Sequence, residues 1–178
     1  MKEIIWHGRG GQGAFTAARL LGAAYALQNN NSYALAFPSF GPERRGAPIR
    51  AFTKLDNRPI GNRSDIETAD YSIFLDDTLF TEKAFEELKA DGKIVLNTKH
   101  TISDNRVITL SGDTIAIKIL KQPITNTIML GALVAIFDDV SLENIEEAIR
   151  QIMPEKLHQK NIAASKAAAE AVWKEVGR

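Results

Sequence analysis

The feature that most constrains this chain lies at its start. An apolar run, Ile4-Ile5-Trp6, leads into the turn Gly8-Arg9-Gly10-Gly11-Gln12-Gly13, and a run rich in small residues follows over 14–26. Together they predict a strand, a glycine turn spaced G-x-G-x-x-G and a helix that begins inside the glycines. Glycine suits such a turn because it adopts positive φ without a Cβ clash, and because its backbone N–H can approach a phosphate or another chain. Ala14, Ala17, Ala18, Gly22 and Ala23 keep the helix surface low, so that it can lie close on a sheet. This is how an α/β domain begins.

The spacing alone leaves the ligand open. A dinucleotide site calls for an acidic residue about 20 positions further on, at the end of the second strand, where it holds a ribose hydroxyl. That strand is predicted at Tyr33-Ala34-Leu35-Ala36-Phe37, and it contains no acid. A tight structural turn therefore fits better than a nicotinamide site, with an anion or coenzyme site shared with a partner as the third reading.

At 178 residues the chain is long enough for one well-buried core and short for two, so one domain over 1–178 is expected. Its 22 basic and 22 acidic residues cancel, which argues against nucleic acid or an anionic membrane as the main partner. The charge is uneven, with six Lys or Arg against three acids over 38–65 and eight acids against two lysines over 66–91. The chain has no cysteine, so it supplies no disulfide, no thiolate nucleophile and no thiolate ligand for zinc or an iron–sulfur cluster. Met1-Lys2-Glu3 leads directly into the first strand without a signal-peptide pattern, and the longest apolar run, 128–137, is too short to span a bilayer. A cytoplasmic protein is expected.

Along the rest of the chain, the segment 38–48 holds three prolines and two glycines and reads as a loop. Ile49, Ala51, Thr53 and Leu55 alternate with Arg50 and Lys54, which predicts a strand with one wet or interface face, and residues 60–63 are expected to extend that edge. Tyr71-Ser72-Ile73-Phe74-Leu75 reads as a buried strand. A helix is expected after it, capped by Thr81, with Ala84, Phe85 and Leu88 inward and a stop at Asp91-Gly92. Lys93 opens a further strand. Residues 106–110 and 115–120 flank Ser111-Gly112-Asp113-Thr114, and Ile115, Ile117 and Ile119 at period two suggest a hairpin or two edge strands. The remainder reads as three helices over 126–137, 142–152 and 157–176.

Candidate chemistry is sparse. Arg44 and Arg45 beside Glu43 on a proline-stiffened loop, with Phe37 and Phe40 nearby, suit presentation to a partner chain or an anionic coenzyme. Asp76 and Asp77 follow a strand but point oppositely on an extended chain, so capping or loop solvation is expected of them. His7, His100 and His158 do not converge, and packing or a backbone hydrogen bond is expected for His7. No metal-ligand spacing, nucleophile elbow or Walker lysine is present. With no complete catalytic set, the chain reads as a subunit whose chemistry others complete.

Three segments taken in order carry a family resemblance: Gly8-Arg9-Gly10-Gly11-Gln12-Gly13, then Phe40-Gly41-Pro42-Glu43-Arg44-Arg45-Gly46-Ala47-Pro48, then Pro59-Ile60 with Arg63. They resemble the gamma subunit of pyruvate:ferredoxin oxidoreductases, in the 2-oxoacid:ferredoxin oxidoreductase family, along nearly the whole chain. The resemblance implies an α/β domain with a mixed sheet, in a multi-subunit enzyme that converts pyruvate and coenzyme A to acetyl-CoA and carbon dioxide and passes electrons to ferredoxin or flavodoxin. It implies alpha, beta and delta partner subunits. Thiamine diphosphate and magnesium would sit in alpha and beta, and the iron–sulfur clusters in beta and delta. Ser111-Gly112-Asp113-Thr114 lacks the features of a thiamine-diphosphate motif. Relatives acting on other 2-oxoacids often carry Arg-Gly-Gly where this chain has Arg45-Gly46-Ala47, which favours the pyruvate branch. The site residues so implied are Gly8, Gly10, Gly11, Gly13, Arg44 and Arg45, on the coenzyme A side or at a subunit interface. A self-sufficient dinucleotide-binding domain and a purely architectural subunit are the rival readings.

Overall fold

The strand–turn–helix expected at the start is present in the computed structural model, which describes residues 1–39 and 45–177. Among these, β1 (Lys2–Arg9), β2 (Tyr33–Pro38), β3 (Pro48–Asp56), β4 (Ala69–Phe74), β5 (Leu88–Asn97) and β6 (Val107–Leu110) form one sheet in the order β2-β3-β1-β4-β5-β6. β4, β5 and β6 extend β1 in parallel, whereas β3 pairs antiparallel with both β1 and β2. The mixed α/β architecture is the one expected. The carboxyl ends of β1, β4, β5 and β6 therefore share one edge, where ligands sit in open α/β sheets.

The helices α1 (Ala14–Ala26), α3 (Asn126–Val134), α4 (Leu142–Ile152) and α5 (His158–Val176) cover one face of the sheet. Ile4, Trp6, Ala51, Leu55, Ile73 and Val95 meet them in the main core. Trp6 ties the layers together: its indole N–H donates to Thr53 Oγ1 at 3.0 Å, and the Thr53 hydroxyl donates to Ala18 O at 3.0 Å. The opposite face has only irregular cover. Ile5, Phe37, Phe52, Ile66 and Ala69 form one small cluster there, and Phe74, Ala84, Ile94, Leu96 and Val107 another. No helix among the described residues is long and apolar enough to cross a membrane.

Several expectations are corrected. The run 115–120 is not a strand: α2 (Gly112–Ile115) passes into a π-helical stretch, Ala116–Leu120. Ile115 and Ile119, four apart on a helix, pack on the core while Ile117 is exposed, so the period of two was coincidental. β6 pairs in parallel with β5 and forms no hairpin with this run. The helix expected after Thr81 is a single 3-10 turn, Glu82–Phe85, without a side-chain cap. Leu88 already lies in β5, and Asp91-Gly92 falls inside that strand, beside the register shift against β4, where a Cβ on Gly92 would stand 2.9 Å from Ala69 O. The non-helical face of β3 is wet at Arg50 but not at Phe52 and Lys54, which are buried there, and residues 60–63 cover it as irregular chain without joining the sheet. Phe37 is buried against Phe52, with ring centroids 5.2 Å apart, and is not an exposed aromatic.

Candidate functional site

The glycine turn is held by bonds that no local sequence signal announces. Gly10 N–H donates to Ala47 O at 2.9 Å, and Gly46 N–H donates to Gly10 O at 3.0 Å. Both backbone groups of Gly10 thus bind the end of the 38–48 loop and are committed. Gly8 lies within β1, where an added Cβ would stand 3.3 Å from both Ala14 Cβ and Leu75 Cδ1, so its smallness lets α1 and the β4 end approach. Gln12 closes the turn by accepting from Arg9 N–H at 2.7 Å, and its amide donates to Asp76 Oδ2 at 3.0 Å. The Arg9 guanidinium reaches the same Asp76 oxygen at 3.1 Å, Thr78 Oγ1 at 2.8 Å and Gly46 O at 3.2 Å.

Asp76 is the hub of this arrangement. Burial alone would raise its carboxyl, but hydrogen bonds from Thr78 and Gln12 and the Arg9 charge outweigh that and hold it below the usual carboxylate range. Its other oxygen accepts from Thr78 N–H at 3.0 Å, so it also caps the 3-10 turn Asp77–Leu79, the capping use expected of it. Asp77 accepts instead from Thr98 Oγ1 at 2.9 Å. The two carboxylates serve different partners and make no acid–base pair.

Gly11 and Gly13 do something else. Both have positive φ, 95° and 83°, and Gly13 is the N-cap of α1 with no side-chain cap. They border a cavity of about 520 Å³ on the helical side of the turn, lined also by the starts of α3 and α5. Neither of those helices has a side-chain cap bond at its N-cap residue. Arg19, Lys156 and Lys160 line the same cavity, and among the described residues no acidic one does. Three helix N-termini and three cations together favour a bound anion. Leu120, Ile124 and Leu157 add an apolar lip.

Of the residues expected at the site, Gly11 and Gly13 line this cavity. Gly8 and Gly10 shape the turn from behind it. Arg45 forms a backbone bridge to Gly10 and is exposed, but it does not line the cavity. Arg44, like Phe40, lies outside the described residues. Arg19, Lys156, Lys160 and Asn126 were not foreseen. A signal existed for one of them: Thr16 and Arg19, three apart, are the polar residues of an otherwise apolar helix, and both face the cavity. His7 lies on the other face of the sheet, stacked on Phe74 at 4.2 Å with Nε2 3.0 Å from Glu87 Oε1 but out of line for a hydrogen bond. It packs as expected, with a carboxylate in place of a backbone partner.

The family model for pyruvate ferredoxin/flavodoxin oxidoreductase matches residues 3–171. Pyruvate synthase subunit PorC of Methanothermobacter thermautotrophicus is 41% identical over 98% of this chain and 97% of its own length. The pyruvate/ketoisovalerate oxidoreductases common subunit gamma of Thermococcus litoralis is 41% identical, over 96% of each chain. The crystal structure of the pyruvate oxidoreductase subunit PORC of Thermotoga maritima superposes with a TM-score of 0.80 at 34% identity, over 95% of each chain. The fold, the glycine turn and this end-to-end similarity place the chain in the pyruvate ferredoxin/flavodoxin oxidoreductase family, as a gamma-type subunit of a multi-subunit oxidoreductase.

Proposed function

We propose that the chain works as a single domain in the cytoplasm with alpha, beta and delta partner subunits, in an enzyme that takes pyruvate and coenzyme A to acetyl-CoA and carbon dioxide and reduces ferredoxin or flavodoxin. Thiamine diphosphate with magnesium, bound by alpha and beta, supplies the electron sink for decarboxylation, and iron–sulfur clusters in beta and delta carry the electrons. This chain's residues suit neither group: it has no cysteine, and its described residues contain no cluster of three His, Asp or Glu that could hold a metal ion. The name shared by the relative that serves both pyruvate and ketoisovalerate oxidoreductases supports leaving the choice of 2-oxoacid to the other subunits.

The chain's own task is on the coenzyme A side. The observation that carries this reading is the cavity at the glycine turn, which Arg19, Lys156 and Lys160 line and no acid among the described residues does. Coenzyme A is a polyanion at its nucleotide end and apolar along its thiol arm, which matches cations beside the apolar lip. Gly11 and Gly13 offer backbone approach to a phosphate, while Gly8 and Gly10 hold the turn in shape. Arg44 and Arg45 are assigned to contacts with the coenzyme or with a partner subunit.

The test is steady-state kinetics of the assembled enzyme carrying Arg19→Ala or Lys160→Ala. Each raises the KM for coenzyme A about ten-fold, equivalent to about 1.4 kcal/mol, with kcat at saturation little changed. Unchanged coenzyme A saturation in both variants would leave the chain an architectural subunit. Arg44→Ala with Arg45→Ala, if it left assembly and saturation untouched, would remove the arginine loop from the site.

A further inference from the structure

The segment after β3 is held in place with more care than the fold requires. Residues 57–65 run as exposed irregular chain across the open face of the sheet, apart from Ile60, which is half-buried. They are fastened from beneath by Lys54, which is only 1% exposed and donates from Nζ to Ser64 O at 2.8 Å and Asn62 O at 3.3 Å. Lysine is almost never buried without a carboxylate, yet this one meets two carbonyls and the ring of Phe37, 5.7 Å from its ammonium. Side-chain turns at Asp56 and Asn62 fix the strap further, by accepting from Arg58 N–H at 3.2 Å and Ser64 N–H at 2.8 Å.

Within this strap, Gly61 has no internal reason to be glycine. Its φ lies outside the left-handed region, and a Cβ added to it would meet nothing within 4 Å. Gly11, Gly13 and Gly46 differ, because each has positive φ. A glycine facing open space with ordinary backbone is explained by something outside the chain that comes close. Arg58 and Arg63 flank it, both exposed and with no acidic partner among the described residues.

We infer that the strap 57–64 is a docking surface for an acidic segment of a partner subunit, whose backbone passes close over Gly61 while its carboxylates meet Arg58 and Arg63. This rests on the subunit reading above and concerns the opposite side of the sheet from the coenzyme cavity. A strap preorganised by Lys54 loses little conformational freedom when it is covered, which favours tight association. Salt weakens the contact through the two guanidinium groups.

The test uses the native complex purified through this chain. Arg63→Lys keeps the charge and supplies an amine, so a zero-length carbodiimide joins position 63 by an amide bond to an Asp or Glu side chain of another subunit, located by peptide mass mapping. Gly61→Leu, which has room in the isolated chain, leaves its melting temperature within about 2 °C but weakens association by about ten-fold or more. Arg58→Glu with Arg63→Glu does the same. A complex that forms normally in these variants, or links from position 63 confined to this chain, overturns the docking surface and leaves the subunit reading standing. Recovery of the wild-type chain without any partner overturns both.

Discussion

Asp76 shows how a single side chain can hold a glycine turn to a distant strand end. It accepts from Gln12, Arg9 and Thr78, and so joins the end of β4 to a loop 64–67 positions earlier. Its folded pKa is depressed below the unfolded value, so the unfolded chain takes up a proton first as pH falls. The stabilisation is therefore complete above the ordinary Asp value of about 3.9 and fades as pH drops through the lower folded value. Asp76→Asn is expected to cost about 1–2 kcal/mol at pH 7 and to flatten the loss of stability below about pH 4, measured by urea unfolding across pH. The glycines of the turn were legible in the sequence because their spacing is local. The Asp76 clamp was not, since nothing marks which distant acid will meet Arg9. Gly13→Ala tests the turn from the other side. It forces a Cβ into positive φ and to 2.5 Å from Asn126 Nδ2, so both stability and coenzyme A saturation are expected to suffer.

Elements were readable where their apolar period ran long and misread where it ran short. α4 shows its inward stripe plainly, and α3 is apolar on every side because it is buried on every side. The stretch 115–120 offered only three isoleucines, too few to separate a strand from a helical turn, and the tertiary contact of Ile115 and Ile119 with the core decided it. A close approach in the helical layer also escaped notice. Gly131 in α3 lies so near α5 that an added Cβ would fall 2.1 Å from Ser165 O and 2.7 Å from its carbonyl carbon. Because the obstacle is backbone, no rotamer change relieves it, and the two helices must separate. Gly131→Ala is expected to destabilise the chain by about 3 kcal/mol or more, against the modest gain in helix propensity that alanine would otherwise bring. Thermal unfolding checks this, and a neutral substitution would mean that α3 and α5 slide apart without cost.

The molecule as a whole is lopsided: one face of its sheet carries a thick layer of helices, and the other carries thin irregular segments pinned at a few points. On this division the cationic cavity lies on the helical side and the strap on the thin side. Stability should divide in the same way, since local opening is easiest where buried apolar contacts are few. Strap and sheet are joined by Ile66 in the small cluster, by the Lys54 ammonium and by the Arg50–Asp65 pair at 4.0 Å. Lys54→Met keeps an apolar stem under the strap and removes both bonds to the carbonyls. The net loss is expected to be about 1 kcal/mol, because relief of a buried charge offsets part of the lost hydrogen bonding. Global melting then changes little, but the strap opens more often. Tryptic cleavage after Arg63 in the folded chain, which follows the population of the opened form, should speed up about five- to ten-fold, while sites in the helical layer remain as resistant as before. Equal cleavage rates in the two proteins would mean that other contacts, such as Ile66 and the Arg50–Asp65 pair, hold the strap, and the buried lysine would then need another explanation.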